Sequence, residues 1–364
     1  MRRHGLVAIV ACSTIGSVDA MKADSYLHNE CRLETSPVPR AEPEGHDELV
    51  SVIVPAYNAA AWIDMTLRSV RAQTHSNLEI IVVDDGSTDA TAAVVESHVA
   101  EDPRITLLRT KNGGVAAARN LALTAAKGRY FAPVDADDLW HRDKIALQLA
   151  AIRGSEETVG LAYCWYVIIN GKNEVISRSS RGRASGRVLK AMCNHNLVGN
   201  GSAPLILRQA ALDVGGFDPS LRARGAQGCE DYKLYFQIAE TYSFALVRDY
   251  LVGYRIHAAG MSRDNDRMIR SRELVTAELV SRHPEFRWAI QWGNVRVKRF
   301  RAAETLRSGQ YAAAFSLLGS MIKDSPWASL CEIGILAVRG ANVLVAAAIR
   351  RSGFGRARAI FPIG

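Results

Sequence analysis

Four continuous apolar runs, each followed by a helical pattern, dominate residues 50–138 and restrict the fold more than any other feature. SVIVPAY closes at Pro55 to Asn58 and leads into AAWIDMTLRSVRAQT, where Ile63, Leu67 and Val70 keep helical spacing. LEIIVVDDGSTD then precedes the helical ATAAVVESHVA, ITLLRT precedes NGGVAAARNLALTAAKG, and RYFAPVDADD is the fourth run. Strands that are apolar throughout and alternate with helices predict an α/β protein, a Rossmann-like and mostly parallel sheet with helices on both faces. Such sheets bind ligands beyond the carboxyl ends of their strands.

Those ends carry the unusual polar residues: Asn58 after the first strand, Asp84-Asp85-Gly86-Ser87 after the second, and Asp135, Asp137 and Asp138 after the fourth. Turns and helix caps account for some of them, and Ser87, Asp89 and Asp138 fit that use, with Asp138 expected to cap a helix beginning at Leu139. One cap per helix leaves Asp84, Asp85, Asp135 and Asp137 in surplus. On a strand edge Asp135 and Asp137 would share a side. Two such carboxylates repel each other and any phosphate, so a diphosphate ligand would require a bridging divalent cation, Mg²⁺ or Mn²⁺. No GxGxxG follows the first strand, and no P-loop is present.

Beyond the fourth strand, DLWHRDKIALQLAAI reads as a helix and LAYCWYVIINGKNEVI as a hairpin about Asn170-Gly171. Farther on, Asp231 lies with Leu234, Tyr235 and Ile238 on the apolar face at the start of a helix. The helix dipole favours an acid there; a cleft-facing base would also sit there.

IVPAYN, Ser69, Gln73-Thr74, IIVVDDGSTD, NGGVAAARN, DADD, GGFD and the later CED stand in an order and at spacings that resemble the inverting family 2 glycosyltransferases of the GT-A fold, from about Val50 to Ser262. The resemblance implies a nucleotide-diphospho-sugar donor, a saccharide or lipid-linked acceptor, and transfer to its hydroxyl with inversion, in polysaccharide or glycolipid synthesis. Carried over by position, it places Pro55 and Tyr57 at the nucleoside and Asp85 at the base, leaves Asp84 structural, and places Asp135 near the ribose. Asp137 would hold the metal, and Arg119 the acidic cluster or the diphosphate. Asp231 would be the catalytic base, with Glu230 the second candidate, and His257 and Ser262 would close over the diphosphate or metal. Two alternatives stay open, an inactive sugar-nucleotide-binding protein and a nucleotidyltransferase, although the latter needs a basic or Gly-rich loop that IVPAYN does not supply.

The ends of the chain read differently. From Arg296 onward there are 11 Lys or Arg against 3 Asp or Glu, which is the whole net charge of +8, so nucleic acid is not an expected partner of the balanced body. The expected organisation is a leader and Pro-rich linker over 1–48, a GT-A domain over 49–265 and a basic helical region over 266–364. Six scattered cysteines without CxxC spacing suggest reduced thiols in the cytoplasm, although residues 1–20 also have a signal-peptide-like pattern. RFRAAETLRSGQYAAAFSLLGSMIKDSP predicts a helical hairpin broken at Gly309-Gln310 and stopped by Pro326. Residues 327–349 are apolar for the length of a span but interrupted by Glu332 and Arg339, which favours peripheral contact at the inner face of the membrane over crossing it, with a helix packed on the domain as the open alternative.

Overall fold

The computed structural model describes residues 48–179, 182–257, 260, 265–307, 309–334 and 360–362. The predicted strand and helix alternation is present: β1 (Val50–Ala56), α1 (Ile63–Arg71), β2 (Leu78–Asp84), α2 (Thr91–Glu101), β3 (Ile105–Arg109), α3 (Val115–Ala125) and β4 (Tyr130–Pro133). β1 pairs in parallel with both β2 and β4, and β2 with β3. Val50, Val52, Ile53 and Val54 are fully buried along β1, so both faces of the strand are covered. Ile63, Leu67 and Val70 of α1 are buried as their spacing requires.

The second half of the sheet is mixed. Its elements are β5 (Leu139–Trp140), α4 (Lys144–Arg153), β6 (Val159–Ile169), β7 (Val175–Arg178), α5 (Leu189–Asn194), β8 (Leu205–Leu207), α6 (Arg208–Asp213), α7 (Ser220–Ala223), α8 (Glu230–Thr241) and β9 (Ser243–Arg255). The strand order is β3-β2-β1-β4-β8-β6-β9-β5, with β7 on β6. β8 runs antiparallel to both β4 and β6, whereas β6 and β9 are parallel. The Asn170-Gly171 hairpin is the antiparallel β6–β7 pair. Pairing of Leu139 with Gly253 draws the acidic turn after β4 against the end of β9.

That pairing corrects one expectation. Leu139 begins a two-residue strand, not a helix, and the helix starts only at Lys144. Asp138 therefore has no helix to cap. It is fully buried, accepting hydrogen bonds from Ser202 Oγ at 2.5 Å and from the Arg255 backbone N–H at 2.8 Å.

The C-terminal region is helical: α9 (Asn265–Arg282), a 3₁₀ turn (Pro284–Phe286), α10 (Arg287–Arg307) and α11 (Tyr311–Asp324), with residues 326–334 also helical. The hairpin breaks at Gly309-Gln310 as expected. Pro326, in contrast, opens the following helical stretch, a position where its missing N–H costs nothing. Val275, Leu279 and Ile290 belong to the main core, whereas Val295, Met321 and Ala328 form a separate cluster. Lys298 is buried between Asp324 at 2.6 Å and Glu273 at 2.7 Å. Among the described residues no helix is long and apolar enough to cross a membrane. The leader and most of the 327–349 segment, together with Arg339, Ser262, Cys12 and Cys31, lie outside the described residues. Cys164, Cys193 and Cys229 are buried thiols outside any disulfide.

Candidate active site

The five acids after β4 and at the start of α8 separate by partner. The chain leaves β4 in a turn, closed by Asp138 N–H to Asp135 O at 3.0 Å, so Asp135 and Asp137 are not on an extended edge. Asp135 accepts from Arg119 Nη2 at 2.6 Å. Asp137 Oδ2 lies 2.8 Å from His257 Nε2, and both side chains keep some solvent exposure. Asp138 points into the interior, where burial, and then Asp137 and Asp135, hold its carboxyl well above the usual range.

Arg119, buried on α3, joins the turn to the start of α8. Its Nη1 donates to Glu230 Oε1 at 3.1 Å, and the guanidinium lies 5.3 Å from the centre of the Phe217 ring. Burial alone would lower its pKa, but Asp135 and Glu230 hold it above its ordinary value. The other Glu230 oxygen accepts from Gly228 N–H at 2.9 Å, so both oxygens are engaged. Among the described residues no cation makes an ion pair with Asp231, and Arg119 acts on it only at longer range. Asp231 Oδ1 accepts from the adjoining Tyr232 N–H at 2.6 Å, and the residue remains partly accessible while Leu234, Tyr235 and Ile238 are buried beneath it. Burial, then the adjacent Glu230 carboxylate, pushes its pKa up to about 7.

At the ends of β1 and β2 the geometry is a cradle. Asp84 Oδ1 accepts from Ser87 N–H at 2.9 Å, which fixes the turn and leaves Asp84 structural. Asp85 spans to the loop before α3: Oδ1 accepts from Gly113 N–H and Oδ2 from Gly114 N–H, both at 2.7 Å. Gly114 has φ of 90°, a left-handed backbone conformation that favours glycine. Each Asp85 oxygen retains a lone pair beyond its loop contact. Pro55 is partly accessible beside this cradle, and Tyr57 is 52% exposed.

Three contributors were not visible as candidates in the sequence. Ser202 donates to Asp138 and accepts from the Asp135 N–H at 3.0 Å. Arg255, buried at the end of β9, donates from Nε to Asp137 O at 2.6 Å and from Nη1 to Asn170 O at 2.9 Å. Trp62 packs under both Arg255 and His257, with its ring 4.6 Å from the guanidinium and 5.4 Å from the imidazole. The YRIH run was a signal for Arg255; nothing marked Ser202 or Trp62.

Residues 51–215 match the model of glycosyl transferase family 2. The chain belongs to glycosyltransferase family 2. This family 2 chain is 42% identical over 143 residues to an uncharacterized glycosyltransferase of Rickettsia felis, covering 39% of this chain and 23% of that protein. It is 39% identical over 130 residues, 35% of this chain and 50% of the relative, to the Escherichia coli UDP-Glc:alpha-D-GlcNAc-diphosphoundecaprenol beta-1,3-glucosyltransferase WfgD. It thus spans half or less of the length of either relative. The crystal structure of S. aureus TarS 1–349 in complex with UDP-GlcNAc superposes with a TM-score of 0.57 at 18% identity, covering 76% of this chain and 81% of that one. That likeness fixes the fold of this glycosyltransferase as GT-A.

Proposed function

We propose that the enzyme transfers a sugar from a nucleotide-diphospho-sugar to an acceptor hydroxyl with inversion, using Asp231 as general base. The observation that carries this reading is the division of the acids: Arg119 neutralises Asp135 and Glu230, and leaves Asp231 partly accessible with a pKa near neutrality. Bases poised near the working pH are the efficient ones, and their help is typically worth on the order of 10²- to 10⁴-fold. Asp231 takes the proton from the acceptor hydroxyl as its oxygen attacks the anomeric carbon from the face opposite the leaving nucleoside diphosphate. The C–O bond to the diphosphate breaks in the same step, and no covalent intermediate forms on the enzyme.

Pro55, Tyr57 and Asp85 suit the nucleoside, with Asp85 offering its remaining lone pairs to a base N–H, and Asp135 suits the ribose. Asp137 and His257 form a carboxylate and imidazole pair that fits Mn²⁺ or Mg²⁺. Among the described residues no third His, Cys, Asp or Glu joins them, so the remaining oxygens would come from the donor diphosphate and water. When bound, such a cation supplies charge stabilisation to the departing diphosphate. The E. coli relative's acceptor supports a lipid-linked saccharide here, which would set the reaction at the cytoplasmic face of the membrane. Contact with that membrane falls to the C-terminal region, where Tyr311, Phe315 and Ile322 on α11 and Trp327 and Leu330 beyond it are exposed. A panel of labelled nucleotide-sugars with Mn²⁺, scored for transfer, hydrolysis and binding, tests the reading. Binding without either reaction would leave an inactive binder, and release of diphosphate from a nucleoside triphosphate would indicate a nucleotidyltransferase.

A further inference from the structure

The last described segment of the chain returns to the strands that carry the site. Ile360 pairs with Glu174 in an antiparallel bridge, and the Phe361 N–H donates to Asn173 O at 3.1 Å. Ile360 itself is exposed; Phe361 is 3% exposed and packs with Leu139, Val167 and Ile169. Gly253 makes room for it, since a Cβ there would lie 3.1 Å from the Phe361 ring. Three of these neighbours lead to the site: Leu139 follows Asp138, Gly253 stands two before Arg255, and Ile169 O accepts at 2.9 Å from the N–H of Ile256, which lies between Arg255 and His257.

A continuous chain of hydrogen bonds runs from this tail to the candidate cation pair. Asn173 N–H donates to Asn170 O at 3.0 Å, and that same carbonyl receives Arg255 Nη1 at 2.9 Å. Arg255 Nε holds Asp137 O at 2.6 Å, and the Asp137 carboxylate meets His257 at 2.8 Å. Asp137 and His257 are 120 residues apart, on a short turn and just past a strand end. Their approach depends on the β5–β9 and β6–β9 seams that the Phe361 ring fills from behind.

We propose that Phe361 is a positioning residue for the Asp137–His257 pair, so that the C-terminal segment is part of the site's construction. The link to the cation rests on the function proposed above; the link to the strand ends does not. A large ring replaced by a small polar group would open a gap where the three strands meet and loosen the end of β9 before the rest of the sheet.

The test compares amide hydrogen exchange and Mn²⁺ binding, followed by electron paramagnetic resonance, in the full chain and three variants. In Phe361→Ser the amides of Arg255 and Ile256 should exchange roughly tenfold faster or more while those of β1 to β3 keep their native rates, as expected for local opening. Mn²⁺ affinity should fall in the same variant, and Phe361→Leu should restore both. Met321→Ala, in the separate C-terminal cluster, should change neither. Native exchange at Arg255 and Ile256 in Phe361→Ser, a uniform rise across the sheet, or faster exchange with unchanged Mn²⁺ affinity would each overturn the proposal. A native chain that takes no Mn²⁺ would sink the cation assignment instead, and the exchange rates alone would then decide the role of Phe361.

Discussion

Arg119 Nη1 stands 3.1 Å from Glu230 Oε1, tying the third helix of the sheet region to the first turn of α8 across 111 residues. The pair is buried on both sides, and the same guanidinium neutralises Asp135. Two adjacent acids in one helical turn, Glu230 and Asp231, therefore have different environments: one is an ion-pair partner of Arg119, and the other makes no ion pair among the described residues.

Removing that cation should be costly. Arg119→Met would leave Glu230 buried and uncompensated, and the expected loss is about 3 kcal/mol, the lower end for a broken buried pair because Asp135 is partly hydrated. Urea unfolding of the two proteins measures it; a variant as stable as the native chain would show that Arg119 holds nothing together.

Glu230→Gln separates the two acids functionally. The amide oxygen can still accept from Arg119, so the fold should persist, while the repulsion that helps to raise the Asp231 pKa disappears. The rising limb of kcat/KM against pH should move to lower pH, with transfer retained. Abolished transfer with intact nucleotide binding would make Glu230 the base.

The sequence displayed the frame because strand-end chemistry is local. Asp85, Asp137 and Asp231 stand beside apolar runs or within helical spacing, so pattern and resemblance single them out as candidates, whereas Asp84 reads as structural. Asp138 did not follow local rules: a two-residue strand has no periodicity to read, and its fate was set by Arg255 and Ser202, which lie 117 and 64 residues away. Trp62 lies inside the AAWIDMTLRSVRAQT run and Phe361 near the end of the sequence, and no spacing distinguishes either. Their roles come from tertiary pairing, which leaves no mark on spacing.

Lys144 offers a test of the electrostatics outside the cleft. Its Nζ is buried 4.0 Å from the Trp140 ring and 2.8 Å from Gln148 Oε1, with no carboxylate partner among the described residues, and burial lowers its pKa to about 7. A lysine depressed in the folded state costs most stability below pH 7, where both states are charged, and the cost fades as pH approaches the unfolded value. Lys144→Met should therefore stabilise the protein at pH 6 and lose that advantage by about pH 10, near the unperturbed lysine pKa. Thermal unfolding across that range measures it, and a pH-independent difference would contradict the assigned burial.

The exposed face of α11 should matter for membranes. Flotation with anionic vesicles should recover the native chain and lose a Phe315→Ser, Ile322→Ser double variant, with binding weakened by salt as surface electrostatics requires. Equal recovery of both, or none of the native chain, would remove α11 as the contact.

The central claim is that Asp231 is the base. Its most direct test is the pH dependence of kcat/KM for sugar transfer, from whichever nucleotide-sugar the panel identifies, in the native enzyme and in Asp231→Asn. The native profile should rise through about pH 7, because the base works only when deprotonated and its pKa is raised. Asp231→Asn should bind the same donor with near-native affinity, transfer roughly 10²- to 10⁴-fold more slowly, and lose the rising limb. A variant that transfers at near-native rate, or keeps the same rising limb, would contradict the assignment.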